Sequence, residues 1–195
     1  MDSELRPADV FLTQGTSLMS RLIRFFTRRI GESRTKVNHV GVVVQGGPLR
    51  EAMVVEALST VRRHRLWGRY GPPRKDLVAI YRPLDLSPEQ IANVVAGANG
   101  YVGRKYGWFM LVAHLLDWVL QGAYVFRRLA GVDRYPICSW VVAHAFLKAG
   151  KDFGVAPGAA DPDDIWDYIV THHSRFARIH ALAPLRESDA VSLPP

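Results

Sequence analysis

One cysteine, Cys138, is all the thiol this 195-residue chain contains. It cannot form an intrachain disulfide, which fits a reducing compartment. The sequence also lacks any run of about eighteen uninterrupted apolar residues, so no membrane span is expected. The opening Met-Asp-Ser-Glu-Leu-Arg-Pro has neither the apolar core nor the cleavage site of a secretory signal. The expected location is therefore cytoplasmic, with peripheral attachment to a membrane as the alternative. Several motifs are missing as well. Without Cys-x-x-Cys or His-Glu-x-x-His there is no recognisable zinc or redox site. Without Gly-x-x-x-x-Gly-Lys there is no phosphate loop, and without Gly-x-Ser-x-Gly no serine elbow. His172 and His173, near Asp163, Asp164 and Asp167, read as a polar helix end rather than as metal ligands. Neither a metal nor a cofactor is expected.

What is present suits a soluble globular protein: 48% hydrophobic and 22% charged residues. The length fits one domain with a sizeable core, taken here as residues 1–184, followed by a loose tail over 185–195. The net charge of +7 is uneven. Residues 1–80 hold 14 Lys/Arg against 7 Asp/Glu, whereas the rest of the chain holds 11 of each. Such an excess attracts phosphate, an anionic membrane or an acidic substrate.

Much of that charge falls on an expected amphipathic helix from Leu18 to Ile30. Leu18, Leu22, Phe26 and Ile30 form its apolar row, and Arg21, Arg24, Arg28 and Arg29 its polar side. Packing on the domain's own sheet is one use of such a helix, and lying on an anionic membrane is another. The arginines are not interleaved with base-stacking aromatics on a strand, so no specific nucleic-acid partner is expected.

Short strands are expected at Val10–Leu12, Val37–Val44, Met53–Leu58, Val61–Leu66, Leu77–Tyr81 and Phe176–Leu182. Gly46, Gly47 and Pro48 suggest a hairpin between the second and third of these. With a four-residue loop over Gly46–Leu49, His39 falls directly opposite Glu56. Residues Arg69–Lys75 read as a loop. Ser87-Pro88-Glu89-Gln90 is a helix start with a capping box, and Ile91, Val94, Val95 and Ala98 form its buried face. The most hydrophobic stretch, Tyr106–Arg128, reads as a mostly buried helix or as a lid that contacts lipid. Pro136 ends regular structure before Cys138. Val141, Val142, Ala145, Phe146 and Ala149 then recur at helical spacing, and Gly150 is a natural stop. Asp161-Pro162-Asp163-Asp164 opens one more helix.

Cys138 is thus expected at a helix start, where free backbone N–H groups and the helix dipole favour a thiolate. A thiol enzyme needs a base to take the proton and a group to orient that base. His39 and Glu56 are the candidates. A glutamate inside an apolar strand is costly unless partnered, and His39 would be that partner.

The order of these blocks resembles that of the circularly permuted papain-like cysteine hydrolases, the permuted branch of the NlpC-type superfamily, related to the lecithin retinol acyltransferase-like proteins. The resemblance is carried by Asn38-His39-Val40-Gly41, then Val55-Glu56-Ala57, then Ile137-Cys138-Ser139, with the histidine before the cysteine. It implies an α+β papain-like fold with an antiparallel sheet packed against the cysteine helix. It also implies Cys138 as nucleophile, His39 as base, Glu56 as orienter, and the Cys138 backbone N–H as an oxyanion donor. Many relatives read Cys-Ser-Glu where this chain has Cys138-Ser139-Trp140. Trp140, Tyr106 and Tyr135 are the candidate substrate-binding residues. The expected activity is hydrolysis of an amide or thioester through an acyl-enzyme, on a peptide-, amide- or acyl-containing substrate. Two other readings stand beside it: a lipid-directed thiol acyltransferase or lipase-like enzyme using the same site, and a non-catalytic module that binds a membrane or an acidic partner.

Overall fold

The computed structural model describes residues 4–15, 36–105 and 136–190. The expected helices at 18–30 and 106–128, with Tyr106 and Tyr135, lie outside the described residues. Among the described residues eight strands are seen: β1 (Glu4–Leu5), β2 (Val10–Gln14), β3 (His39–Gln45), β4 (Gly47–Pro48), β5 (Met53–Ala57), β6 (Val61–Arg65), β7 (Leu77–Pro83) and β8 (Phe176–Pro184). The helices are α1 (Leu66–Tyr70), α2 (Pro88–Asn99), α3 (Cys138–Lys148) and α4 (Pro162–Thr171). Six strands form one sheet in the order β6-β5-β3-β2-β7-β8, and every pairing in it is antiparallel. The chain is therefore α+β.

Alternation of side chains sorts the central strands into two cores. Val10, Leu12, Val40, Val42 and Val55 face one way, onto Val94 and Ala98 of α2, Val141, Val142 and Ala145 of α3, and Ile165 and Ile169 of α4. Phe11, Val43, Val54, Val78 and Ile80 face the other way, onto Leu5, Leu66, Tyr70 and Leu185. Because β3 is covered on both faces, it reads as a nearly unbroken run of valines. Each fully buried aliphatic side chain contributes roughly 1.5–3 kcal/mol relative to exposure. By contrast β6, Val-Arg-Arg-His-Arg, alternates weakly and sits at the sheet edge, where charge discourages pairing with another chain.

The helix signals are realised locally. Ser87 caps α2 in a reciprocal capping box with Gln90. The same Gln90 donates from Nε2 to the Ala149 carbonyl, which ties α2 to the end of α3. These two helices approach closely at Gly97, where a Cβ would lie 3.0 Å from the Ala145 Cα. Asp161 caps α4 in a second capping box, with Asp164. Gly150 follows α3 with φ +71°, a left-handed conformation that glycine adopts at little cost.

Two elements differ from the sequence-based expectation, besides the register of β3 on β5 described below. Leu66–Tyr70 is a short helix, not the end of a strand and the start of a loop. Beyond Pro184, where the sequence suggests a loose tail, Leu185 is buried and Glu187–Ala190 forms a 3-10 turn.

Candidate active site

His39 is the first residue of β3, and the chain leading into it is fixed from two sides. On one side, Asp163 in the first turn of α4 accepts hydrogen bonds from the Lys36 and Val37 amides, at 2.9 and 3.3 Å. On the other, Asn38 takes the Gly15 amide on its Oδ1 at 2.8 Å, while its own amide donates to the Thr13 carbonyl. The segment Asp161–Asp164 thus caps a helix and also anchors the strand that carries the candidate base.

The register of β3 against β5 differs by two residues from the simple hairpin. Glu56 lies opposite Gly41, which makes His39 its diagonal neighbour instead of its direct partner. The connection is longer than four residues: Gly47–Pro48 pairs with β1, the Glu51 and Ala52 amides return to the Pro48 carbonyl, and the ladder shifts between Val43 and Gln45. Diagonal side chains remain within reach when both are long. His39 Nε2 and Glu56 Oε2 are hydrogen-bonded.

Gly41 makes the arrangement possible. A Cβ there would stand 2.4 Å from Phe11 Cε1 and 2.9 Å from the Val55 carbonyl oxygen. Without one, the Phe11 ring packs across the strand and meets the Tyr70 ring at 5.7 Å. Tyr70 in turn donates its hydroxyl to Glu56 Oε2 at 2.6 Å.

Glu56 is completely buried, yet its carboxylate is surrounded by donors. His64 Nε2 lies 2.6 Å from Oε1, and Arg69 Nε lies 3.4 Å from the same oxygen. Burial alone would raise the Glu56 pKa. The His39 charge, together with hydrogen bonds from His39, His64 and Tyr70, reverses this and holds the carboxyl well below its usual range. His64, Tyr70 and Arg69 were not singled out by the sequence. The register of β6 on β5 sets Arg62 opposite Glu56 and His64 on its diagonal, a relation readable only once the pairing is known.

Cys138 begins α3, after Pro136 and the extended residue Ile137, and is buried. The amides of a first turn have no acceptor within their own helix, so the Cys138 N–H is available to a developing anion. Cys138 lies close enough to the His39 ring for the two to interact electrostatically, and because Nε2 of that ring serves Glu56, Nδ1 is the nitrogen left for sulfur. Burial would lower the His39 pKa. The negative neighbours Cys138 and Glu56, and the hydrogen bond to Glu56, outweigh it and lift the value to about 10. The structure therefore brings Cys138, His39 and Glu56 together in that order.

Of the candidate substrate contacts, Trp140 is buried. It stacks on His144 with ring centroids 4.1 Å apart and lies against Gly158. Among the described residues, its Nε1 and the buried Ser139 Oγ meet no hydrogen-bond partner. His172 closes α4, its ring stacked on Tyr168 and Nδ1 donating to the Tyr168 carbonyl at 2.7 Å. Among the described residues no three His, Cys, Asp or Glu side chains group as a metal ion would need, and no helix is long and apolar enough to cross a membrane.

No protein-family model matches the chain, and no curated protein matches it. Among solved structures it is similar to the metalloprotein yiiX from Escherichia coli O157:H7, described as DUF1105. The two are 18% identical, with a TM-score of 0.60 over 92% of this chain and 98% of that one. A likeness of this kind shows that the two chains share a fold.

Proposed function

We propose that this protein is a papain-like cysteine hydrolase of the permuted type, cleaving an amide or thioester bond through an acyl-enzyme on Cys138. The observation that carries the reading is an imidazole hydrogen-bonded to a fully buried carboxylate and placed beside the thiol that opens α3. The His–Glu–Cys order of the sequence blocks supports it.

In this mechanism His39 Nδ1 takes the Cys138 proton and the sulfur attacks the substrate carbonyl carbon. The resulting oxyanion accepts the Cys138 backbone N–H. The carbon–nitrogen or carbon–sulfur bond to the leaving group then breaks as His39 returns the proton to that group. Water, deprotonated by His39, attacks the thioester, and its proton passes back to Cys138 when the acid product leaves. Glu56 keeps Nε2 protonated and Nδ1 directed at sulfur throughout, the role of the third member of a triad.

The yiiX neighbour is described as a metalloprotein. The described residues of this chain do not fit a metal at the relay. Both Glu56 oxygens already accept N–H or O–H donors, and His39 Nε2 is bonded to Glu56.

The test is alkylation of Cys138 by iodoacetamide as a function of pH, in wild type, His39→Ala and Glu56→Gln. Wild type should react readily at about pH 6, where an ordinary thiol of pKa about 8.5 is almost wholly protonated. His39→Ala should lower the rate at that pH by about 100-fold. Wild-type reactivity like that of a free thiol, or no loss in His39→Ala, would sink the proposal.

A further inference from the structure

Glu56 has two histidines, one on each diagonal. His39 comes from β3 on one side, and His64 comes from β6 on the other. The relay uses only the first. His64 has a definite protonation state that follows from its partners. Its Nδ1 lies 3.0 Å from the Arg65 carbonyl oxygen, which can only accept, so Nδ1 carries hydrogen. Its Nε2 lies 2.6 Å from Glu56 Oε1, and a carboxylate oxygen also only accepts. Arg69 at the same oxygen and Tyr70 at the other favour the ionised carboxylate. Both ring nitrogens of His64 are therefore donors, and the ring is an imidazolium.

We propose that His64 is a positioning residue of the site: as an imidazolium it shares the Glu56 carboxylate with His39 and sets how firmly that carboxylate holds the His39 ring. The inference rests on the relay reading above and deepens it. A carboxylate committed to His39 alone would stabilise the His39 imidazolium more strongly and make it a poorer acid toward the leaving group. A second cation on the other oxygen weakens that hold while keeping Glu56 ionised and fixed in place. The groups facing this pair are His39 with Cys138 behind it, Tyr70 from α1, and Arg69, which Asp76 also attracts. Arg62, directly opposite Glu56, bonds instead to the Thr60 hydroxyl. The His64 side chain is 24% exposed, against 15% for His39 and none for Glu56, so His64 is the more solvent-accessible of the two histidines.

The test is side-chain 15N NMR of the histidines in wild type and in His64→Gln, where a neutral amide can still donate to Oε1. In wild type at pH 7 both His64 nitrogens should show the protonated signature. In His64→Gln the His39 titration midpoint should rise by about one pH unit, as expected for removal of one nearby positive charge. The Cys138→Ala background removes one of the two groups that lift His39, so there the same displacement falls at lower pH and is easier to follow. A neutral His64 at pH 7, or a His39 midpoint unmoved by His64→Gln in both backgrounds, overturns the proposal. If the midpoint moves but Cys138 alkylates like a free thiol, the hydrolase reading falls while the coupling stands. If Cys138 is activated and the midpoint does not move, the coupling falls alone.

Discussion

Among the described residues two carboxylates are completely buried, Asp9 just before β2 and Glu56 in β5, and they are held in opposite ways. Arg82 grips Asp9 with both ends of its guanidinium, Nε to Oδ1 at 2.9 Å and a terminal nitrogen to Oδ2 at 2.8 Å, and the Arg6 amide adds a third bond. Glu56 is held by two histidines, a tyrosine hydroxyl and the edge of an arginine. Arg82 keeps its charge at every relevant pH, so its pair is a fixed staple between β2 and β7. The histidines around Glu56 gain and lose protons. The pKa shifts differ too. At Asp9 desolvation by burial outweighs its hydrogen bonds and the value is raised, whereas at Glu56 the donors win and the value is lowered. Being buried and paired does not make a carboxylate part of a working site. Being paired to groups that can move protons is what separates these two.

Exchanging each carboxylate for its amide should break the comparison most sharply. Asp9→Asn removes the anion that Arg82 grips and should cost about 3–5 kcal/mol in urea unfolding, the usual penalty for breaking a buried pair. It should leave the pH profile of Cys138 alkylation in place. Glu56→Gln should lower alkylation at about pH 6 by roughly 100-fold. Equal effects of the two substitutions on alkylation would show that Glu56 is only structural.

Stability as a function of pH sharpens the same contrast. His39 is raised to about 10 and His64 is raised as well. A histidine raised in the folded state adds stability that is complete below its unfolded value, about 6.5, and is lost as pH climbs through the folded value. Glu56 is lowered, so its contribution is present above the ordinary glutamate value of 4.5 and lost as pH falls. Asp9 is raised, so ionising it opposes folding as pH rises past its ordinary value of 3.8. Denaturation across pH 4 to 10 should therefore show greatest stability between about 4.5 and 6.5, with a decline toward 10. Glu56→Gln should make that decline shallower, because one of the charges that lift His39, and the one that lifts His64, is gone. Asp9→Asn should keep it. A decline of equal steepness in all three proteins would contradict the assignment.

How much of this was legible in the sequence depended on the range of the determining contacts. The cysteine helix, its stop at Gly150, the Ser87–Gln90 capping box and the helix opening at Asp161 are written within a few residues, and all are found. Glu56 was legible as a carboxylate with no business in an apolar strand unless partnered, and His39 was the natural partner. Their register was not, because the connection is longer than its turn residues suggest and the ladder shifts between Val43 and Gln45, which only the paired strands reveal. Nor was α1, only five residues long, too short to hold by propensity. It is fixed by burial of Leu66 and Tyr70, and with it the Tyr70 hydroxyl on Glu56. His64 sits on a polar edge strand where a histidine carries no signal until the Glu56 diagonal is known.

Gly41 connects the Glu56 network to the second core, and a single methyl group there tests whether the two depend on each other. Gly41→Ala would put a Cβ 2.4 Å from the Phe11 ring and 2.9 Å from a backbone oxygen, so the ring and the strand must both give way. Overpacking of this kind typically costs about 1–3 kcal/mol. Phe11 packs at a tilt against Tyr70, so the displacement should carry the Tyr70 hydroxyl away from Glu56. Gly47 is the control. Its φ of +130° strains any other residue, but nothing lies within 4 Å of a Cβ there, and it pairs with β1 away from the relay. Gly47→Ala should thus lower unfolding stability without altering Cys138 alkylation, whereas Gly41→Ala should alter both. If Gly41→Ala destabilises the protein yet leaves alkylation untouched, Tyr70 is dispensable to the relay, and Glu56 is held well enough by its two histidines.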